Sequence, residues 1–181
     1  MDAIEVLHQR AASPRLIEPA PSSDELALIY QAALRAPDHG MLRPWRFLVV
    51  DGDARSELGV LFVDSLVPED EAKRNKLLNA PLRAPLIVVA VTEFKENPKV
   101  PPVEQIASTA AAVQNMSLAA HALGYASIWR TGPPAFSTKV KEGLGLKAED
   151  EITAFLYIGT PTIENRPIPE NTIEDYFKHW K

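Results

Sequence analysis

The spacing of apolar and polar residues divides the chain into short helices and strands punctuated by prolines. Asp2 with Glu5 three positions on has the form of a capping box, and Ile4, Leu7 and Ala11 follow along one helical face. Prolines at 14, 19 and 21 end that helix. Ser22 and Glu25 repeat the capping pattern, and Leu26, Ile29, Ala32 and Ala33 form the apolar face of a second helix that stops before Pro37. Trp45 to Val50 predicts a strand closed by the turn Asp51-Gly52-Asp53. Ala54 to Leu66 reads as a third helix, and Glu69 to Asn79 as a charged, exposed one. After Pro81 and Pro85, the run Leu86 to Val91 is short and branched enough to be a buried strand.

A proline-broken stretch from Lys95 to Pro102 predicts a mobile loop. The helix expected next, Val103 to Leu123, carries small residues on nearly every side, which predicts packing all round, at the domain centre or against a second subunit. Gly124 is placed to be its C′ residue. A strand from Ala126 to Arg130, the turn Thr131-Gly132-Pro133-Pro134, a short helix from Ser137 and a strand from Ile152 to Gly159 complete the body. Thr160 to Lys181 reads as an extended arm with Tyr176, Phe177 and Trp180 near its tip, side chains that need a surface to pack on. Residues 1–181 therefore predict one mixed α/β domain with about four strands.

Composition narrows the chemistry. The 181 residues include no cysteine, which removes disulfides, thiolate zinc, iron–sulfur clusters and a thiol nucleophile. A net charge of -5 argues against nucleic acid as the partner. No apolar run approaches the ~20 residues of a membrane span, and the acidic opening does not resemble a signal peptide, so the expectation is a cytoplasmic protein. With 16 prolines and 8 glycines, glycine-rich phosphate cradles are scarce. The single match to a dinucleotide pattern, Gly143, Gly145 and Ala148, follows a helical stretch, where a strand is required. Histidines 8, 39, 121 and 179 are too dispersed for a zinc pair, no G-x-S-x-G supports a serine nucleophile, and no metal site is expected.

The cations are more informative. The first six, Arg10, Arg15, Arg35, Arg43, Arg46 and Arg55, are all arginine, the planar fork suited to phosphate and carboxylate. By residue physics alone they read as surface ion pairs with Asp2, Glu18 and Asp38. His39 reads as a surface loop histidine, His121 as a polar spot on a packed helix, and Trp45 and Trp129 as core residues.

Longer segments point further. Arg35-Ala36-Pro37-Asp38-His39-Gly40-Met41-Leu42-Arg43-Pro44-Trp45 resembles the nitroreductase loop that begins Ala-Pro-Ser and closes on Gln-Pro-Trp. Leu7 to Arg15, with Arg10 after the first helix, resembles that family's flavin-gripping arginine–serine motif. Ala80 to Pro85, the alanine-rich helix ending Ala122-Leu123-Gly124-Tyr125, Trp129-Arg130-Thr131-Gly132, and Phe155 to Pro161 match in order, so the resemblance spans nearly the whole chain. Length and the Asp38-His39 pair resemble its short, minimal branch of NAD(P)H nitroreductases.

The resemblance implies an α+β fold, a mixed β-sheet flanked by helices, in an intertwined homodimer whose 160–181 arm packs on the partner. It implies tightly but non-covalently bound FMN, NADPH or NADH as electron donor, and hydride passing through flavin N5 to a nitroaromatic, quinone or similar small-molecule acceptor. Arg10, Ala11 and Ala12 would lie along the phosphate and ribityl chain, and Arg35 and His39 would also touch the flavin, His39 from the other subunit. His121, Ala122, Leu123, Gly124, Tyr125 and Ala126, with Arg130, Thr131 and Gly132, would supply further cofactor contacts. The flavin carries the hydride, so no catalytic residue is expected. Ala11-Ala12, Met41 and Arg43 depart from the family pattern. They motivate a second reading as a non-catalytic flavin carrier or sensor, and a structural interaction domain is the third.

Overall fold

The computed structural model describes residues 1–163, 168 and 170–181. The elements are α1 (Ala3–Gln9), β1 (Leu16–Ile17), α2 (Ser23–Ala33), β2 (Trp45–Asp51), α3 (Ala54–Leu66), α4 (Glu71–Leu78), β3 (Leu86–Thr92), α5 (Pro102–Ala122), β4 (Ala126–Arg130), α6 (Pro133–Phe136), α7 (Thr138–Gly143), β5 (Glu151–Pro161) and α8 (Ile173–Tyr176). Both predicted capping boxes form, Asp2 with Glu5 and Ser22 with Glu25, each satisfying amides that open a helix. The predicted α3 coincides with the helix, and Gly124 takes the left-handed conformation after α5, at φ 88°.

The sheet runs β1-β5-β3-β2, with β4 also on β5, and every named pairing is antiparallel. It has one strand more than the sequence pattern predicts, because β1 is only two residues long and has no periodicity to read. All seven residues of β3 are buried, as a central strand covered on both faces requires. Alternate residues face two cores. Ile87, Val89, Val91, Phe155 and Tyr157 meet Phe62 of α3, whereas Leu86, Val88, Ala90, Leu156 and Ile158 meet α5 and Ile29 of α2.

Two expectations change. Trp129 is 41% exposed at the sheet edge and donates its indole N–H to the Thr153 carbonyl, because its strand position faces outward. The 95–102 loop is tied down where mobility is expected. Buried Gln105 accepts from the Lys95 amide and donates to the Lys95 and Val100 carbonyls. Within one chain α5 is enclosed on one side, with its Val103 and Ile106 exposed, so of the two placements expected for it the centre of the domain does not apply. The arm from 160 on includes residues 164–167 and 169, which lie outside the described set. From 170 onward every side chain is exposed, Trp180 to 98%. Among the described residues no helix is long and apolar enough to cross a membrane.

Candidate functional site

β4 lies at an edge of the sheet, and the segment after α1 runs beside it. Arg10 leaves helical geometry with ψ 120°, Ala12 bridges Ser127 in parallel, and the Ser13 amide donates to the Ser127 carbonyl at 3.1 Å. At the far end of β4, Arg130 Nη2 donates to the Pro14 carbonyl at 3.3 Å. Four residues of extended chain separate Ala126 from Arg130, so this edge is roughly 13 Å long.

Two openings meet at Arg130. A recess of about 300 Å³ is lined by Ser13, Pro14, Arg15, Arg83 and Arg130. It adjoins a wider cleft of about 500 Å³ with Phe62, Leu66, Phe155 and Tyr157 on its apolar walls and Lys76, Arg83, Thr131 and Gly132 among its polar ones. Arg83 and Arg130 border both.

The electrostatics of this edge are unfinished within the described residues. Arg130 stacks over the Tyr157 ring at 5.7 Å, yet its Nε is buried and makes no hydrogen bond. His121 Nε2, in the last turn of α5, is likewise buried without a partner. Burial, and then the nearby Arg10 guanidinium, hold the His121 imidazole below its ordinary pKa, so it is neutral near pH 7. Burial pushes the Tyr157 phenol up, against the opposing pull of Arg130 and Arg83. The acids expected to neutralise the arginines have other work. Asp2 caps α1, Glu18 accepts from the Ala20 amide and Asp38 from the Arg43 amide. A cleft with an apolar wall, unpaired guanidinium groups and orphaned donors suits a planar ligand that carries an anionic group.

The sequence pattern of the Nitroreductase family matches residues 17–160. The chain belongs to the nitroreductase family. It is 41% identical to the Escherichia coli K12 protein named "Putative NAD(P)H nitroreductase YdjA" over 166 residues, 91% of each chain. It is 35% identical to a Haemophilus influenzae protein named "Putative NAD(P)H nitroreductase", covering 88% of this chain and 89% of that one. Among solved structures, a nitroreductase-like family protein from Bacillus cereus superposes with a TM-score of 0.89 at 24% identity, covering 100% of this chain and 97% of that one. A nitroreductase from Desulfovibrio desulfuricans, solved in complex with FMN, superposes at 0.78 and 23% identity, over 98% and 96% of the two chains. These likenesses carry the fold, an α+β arrangement of a sheet flanked by helices, here antiparallel in all its named pairings with one isolated parallel bridge at Ala12–Ser127.

In this nitroreductase the predicted residues fall into five places. Arg10, Ala11, Ala12 and His121 lie at one end of the β4 edge, and Arg130, Thr131 and Gly132 at the other. Ala122 to Ala126 form the turn between α5 and β4. There Leu123 and Tyr125 pack into the α5-side core, Ala126 packs on the opposite one, and the Tyr125 hydroxyl donates to Glu25 at 2.9 Å. Arg35 lies in a separate apolar groove with Leu7, Asn115 and Ala119. His39 is 62% exposed, with Nδ1 2.5 Å from Glu104 in the first turn of α5. Seventeen helical residues separate Glu104 from His121, about 25 Å. One chain therefore does not bring His39 to the β4 edge.

Lys76 and Arg83 escaped the sequence reading. Lys76 was absorbed into an exposed charged helix and Arg83 into a turn before a strand. The available signal is an arginine held between Pro81 and Pro85; the structure puts it in a 3₁₀ turn before β3, on the lining of both openings. Among the described residues no three His, Asp or Glu side chains group as metal ligands.

Proposed function

We propose that the chain is an FMN-dependent NAD(P)H oxidoreductase whose acceptors are nitroaromatics, quinones or similar electron-poor molecules, acting as a homodimer. The observation that carries this reading is the pair of orphaned buried nitrogens, Arg130 Nε and His121 Nε2, at the two ends of one edge strand. A buried polar atom left without a partner costs about 1–3 kcal/mol, so both ends favour a ligand that spans them. Two relatives named as NAD(P)H nitroreductases and a structural relative solved with FMN support the choice of ligand.

In this reading Arg10 and His121 hold the phosphate, and Arg130, Thr131 and Gly132 take the polar edge of the ring. Phosphate oxygens accept from a guanidinium fork and from an imidazole N–H, and a dianion favours the protonated form of His121. Leu66, Phe62 and Phe155 keep water from the apolar wall of the cleft. FMN bound there supplies the redox chemistry, taking a hydride from NAD(P)H and delivering it to the acceptor, so no protein acid or base is required for that transfer.

The dimer follows from the separation of His39 and Arg10. A two-fold pairing of α5 with its copy, antiparallel, brings the N-terminal end of one helix to the C-terminal end of the other. The exposed Val103 and Ile106 of α5 suit such an interface, and Tyr176, Phe177 and Trp180 of the arm suit contact with the partner. The test is complementation. Arg10→Ala and His39→Ala should each lose FMN on gel filtration. Mixed subunits should recover about a quarter of wild-type flavin, because half of the dimers are mixed and each holds one intact site. No recovery on mixing would place the two residues in one chain's site, and unchanged retention in both variants would remove them from the site. Absence of steady NADPH oxidation by holoprotein with a nitroaromatic present would favour the flavin carrier, a reading motivated by Met41 and Arg43.

A further inference from the structure

The cleft wall facing Thr131 and Gly132 is built by α4 and the 3₁₀ turn Pro81–Arg83, and its charges have no role in the phosphate grip proposed above. Two lysines and one acid reach it from α4 and its approach. Lys73 is neutralised, with Nζ 2.6 Å from Glu69 and 3.7 Å from Asp70. Among the described residues Glu69 is the only acid on the cleft lining, and it is occupied by that pair. Lys76 has no ion pair among the described residues. Arg83, half-buried, has neither an ion pair nor a side-chain hydrogen bond among them. This wall therefore holds two uncompensated cations in a protein whose net charge is -5. The last turn of α4 offsets part of the Lys76 charge through its carbonyl ends, whereas Arg83 lies beyond that helix and has no such offset.

Cations on low-dielectric walls focus their field into the cleft and raise the local concentration of anions. Resting on the nitroreductase reading, we propose that Lys76 and Arg83 make this enzyme select electron acceptors that carry a negative charge, such as a carboxylate on the aromatic ring. The apolar walls hold the ring, and the two cations meet its anionic substituent. Acceptor selection then belongs to α4 and the following turn, separate from the β4 edge that holds the cofactor. At about 7 Å in a water-like dielectric, two unit charges acting on one carboxylate amount to roughly a sevenfold preference before screening and about fivefold at ~0.01 M salt.

The test isolates acceptor from donor. Holoenzyme reduced anaerobically with one equivalent of dithionite is mixed with 4-nitrobenzoate or with neutral 4-nitrobenzyl alcohol, and flavin reoxidation is followed by absorbance. The readout is the ratio of the two second-order rate constants, which cancels changes common to both. The ratio should fall about fivefold between ~0.01 M and ~1 M salt in the wild-type enzyme, where screening shortens to about 3 Å. It should fall about two- to threefold at low salt in Lys76→Gln and in Arg83→Gln, each of which removes one of the two charges, and by the full amount in the double variant. A cationic nitrobenzyl trimethylammonium acceptor should show the opposite salt dependence. A ratio indifferent to salt in the wild-type enzyme overturns the proposal without recourse to any variant, while reoxidation by both acceptors leaves the nitroreductase reading standing. Failure of both nitro compounds, with ferricyanide still reoxidising the flavin, refutes that reading and this inference together.

Discussion

Gly59 sits where α3 meets α4, and replacing it with alanine tests whether the cleft wall is set by that contact. A Cβ on Gly59 would fall inside van der Waals distance of the Leu78 carbonyl oxygen, 3.1 Å from its carbonyl carbon and 3.3 Å from its Cα. These are backbone atoms, so no rotamer change relieves the clash. α4 must retreat by about 1 Å to restore ordinary contact. Overpacking of this kind costs about 1–3 kcal/mol, while alanine in a helix interior returns roughly 0.5–1 kcal/mol. The net expectation is a loss of about 1–2 kcal/mol, and for a chain of this size about 2–4 °C of Tm per kcal/mol, hence a fall of roughly 2–8 °C. Circular dichroism melts at one fixed protein concentration measure it, since association would make Tm concentration-dependent. Because α4 carries Lys76, the displacement should also raise KM for the acceptor more than it lowers kcat. A Tm at or above wild type would refute the reasoning, because helix propensity would then outweigh a contact that is not tight.

Other perturbations probe different parts of the argument. His121 is held below its ordinary pKa in the fold, so the unfolded chain binds the proton first as pH falls. The His121 contribution to stability is then fully present above about pH 6.5 and is lost as pH falls toward the folded value. Urea midpoints of flavin-free protein should rise with pH across that window, with a flatter profile in His121→Gln, and an identical profile in the variant would refute the assignment. Lys141 is 10% exposed at its side chain and lies 3.2 Å from Glu151. Glu151→Gln should cost about 1–2 kcal/mol by leaving the ammonium unpaired, and Lys141→Met should cost less, as chemical denaturation would show. The reverse order would mean that the pair stabilises through the lysine stem.

Local signals in the chain were enough for most elements. Asp2 with Glu5 and Ser22 with Glu25 mark helix starts because an N-cap is satisfied by residues three positions away, within the same turn. Leu86 to Val91 announces a buried strand because both faces need apolar side chains, and the strand runs one residue further, to Thr92. What sequence spacing cannot carry is which distant segments meet. β1 becomes a strand only through pairing at the end of β5, more than 140 positions along the chain. Trp129 looks like a core residue until the sheet edge turns it outward. The orphaned state of Arg130 Nε and His121 Nε2 depends on neighbours drawn from separate elements.

The site divides in the same way. In the proposed site, Arg10, His39, His121 and the Arg130-Thr131-Gly132 turn are named by a family resemblance, because each lies in a contiguous motif. The sequence by itself determined the local elements, the absence of thiol chemistry and an arginine-rich start suited to an anion. Tertiary structure alone decided that Asp2, Glu18 and Asp38 serve backbone amides, while Arg46 pairs with Glu93 and Arg55 with the Gly52 and Ala84 carbonyls. It alone set His39 and His121 at opposite ends of a 21-residue helix and gathered Lys76, Arg83 and Arg130 around one cleft. The physical reason is range. Capping and periodicity act within a few residues, whereas charge compensation and ligand geometry depend on which surfaces the packed chain brings within a few ångströms.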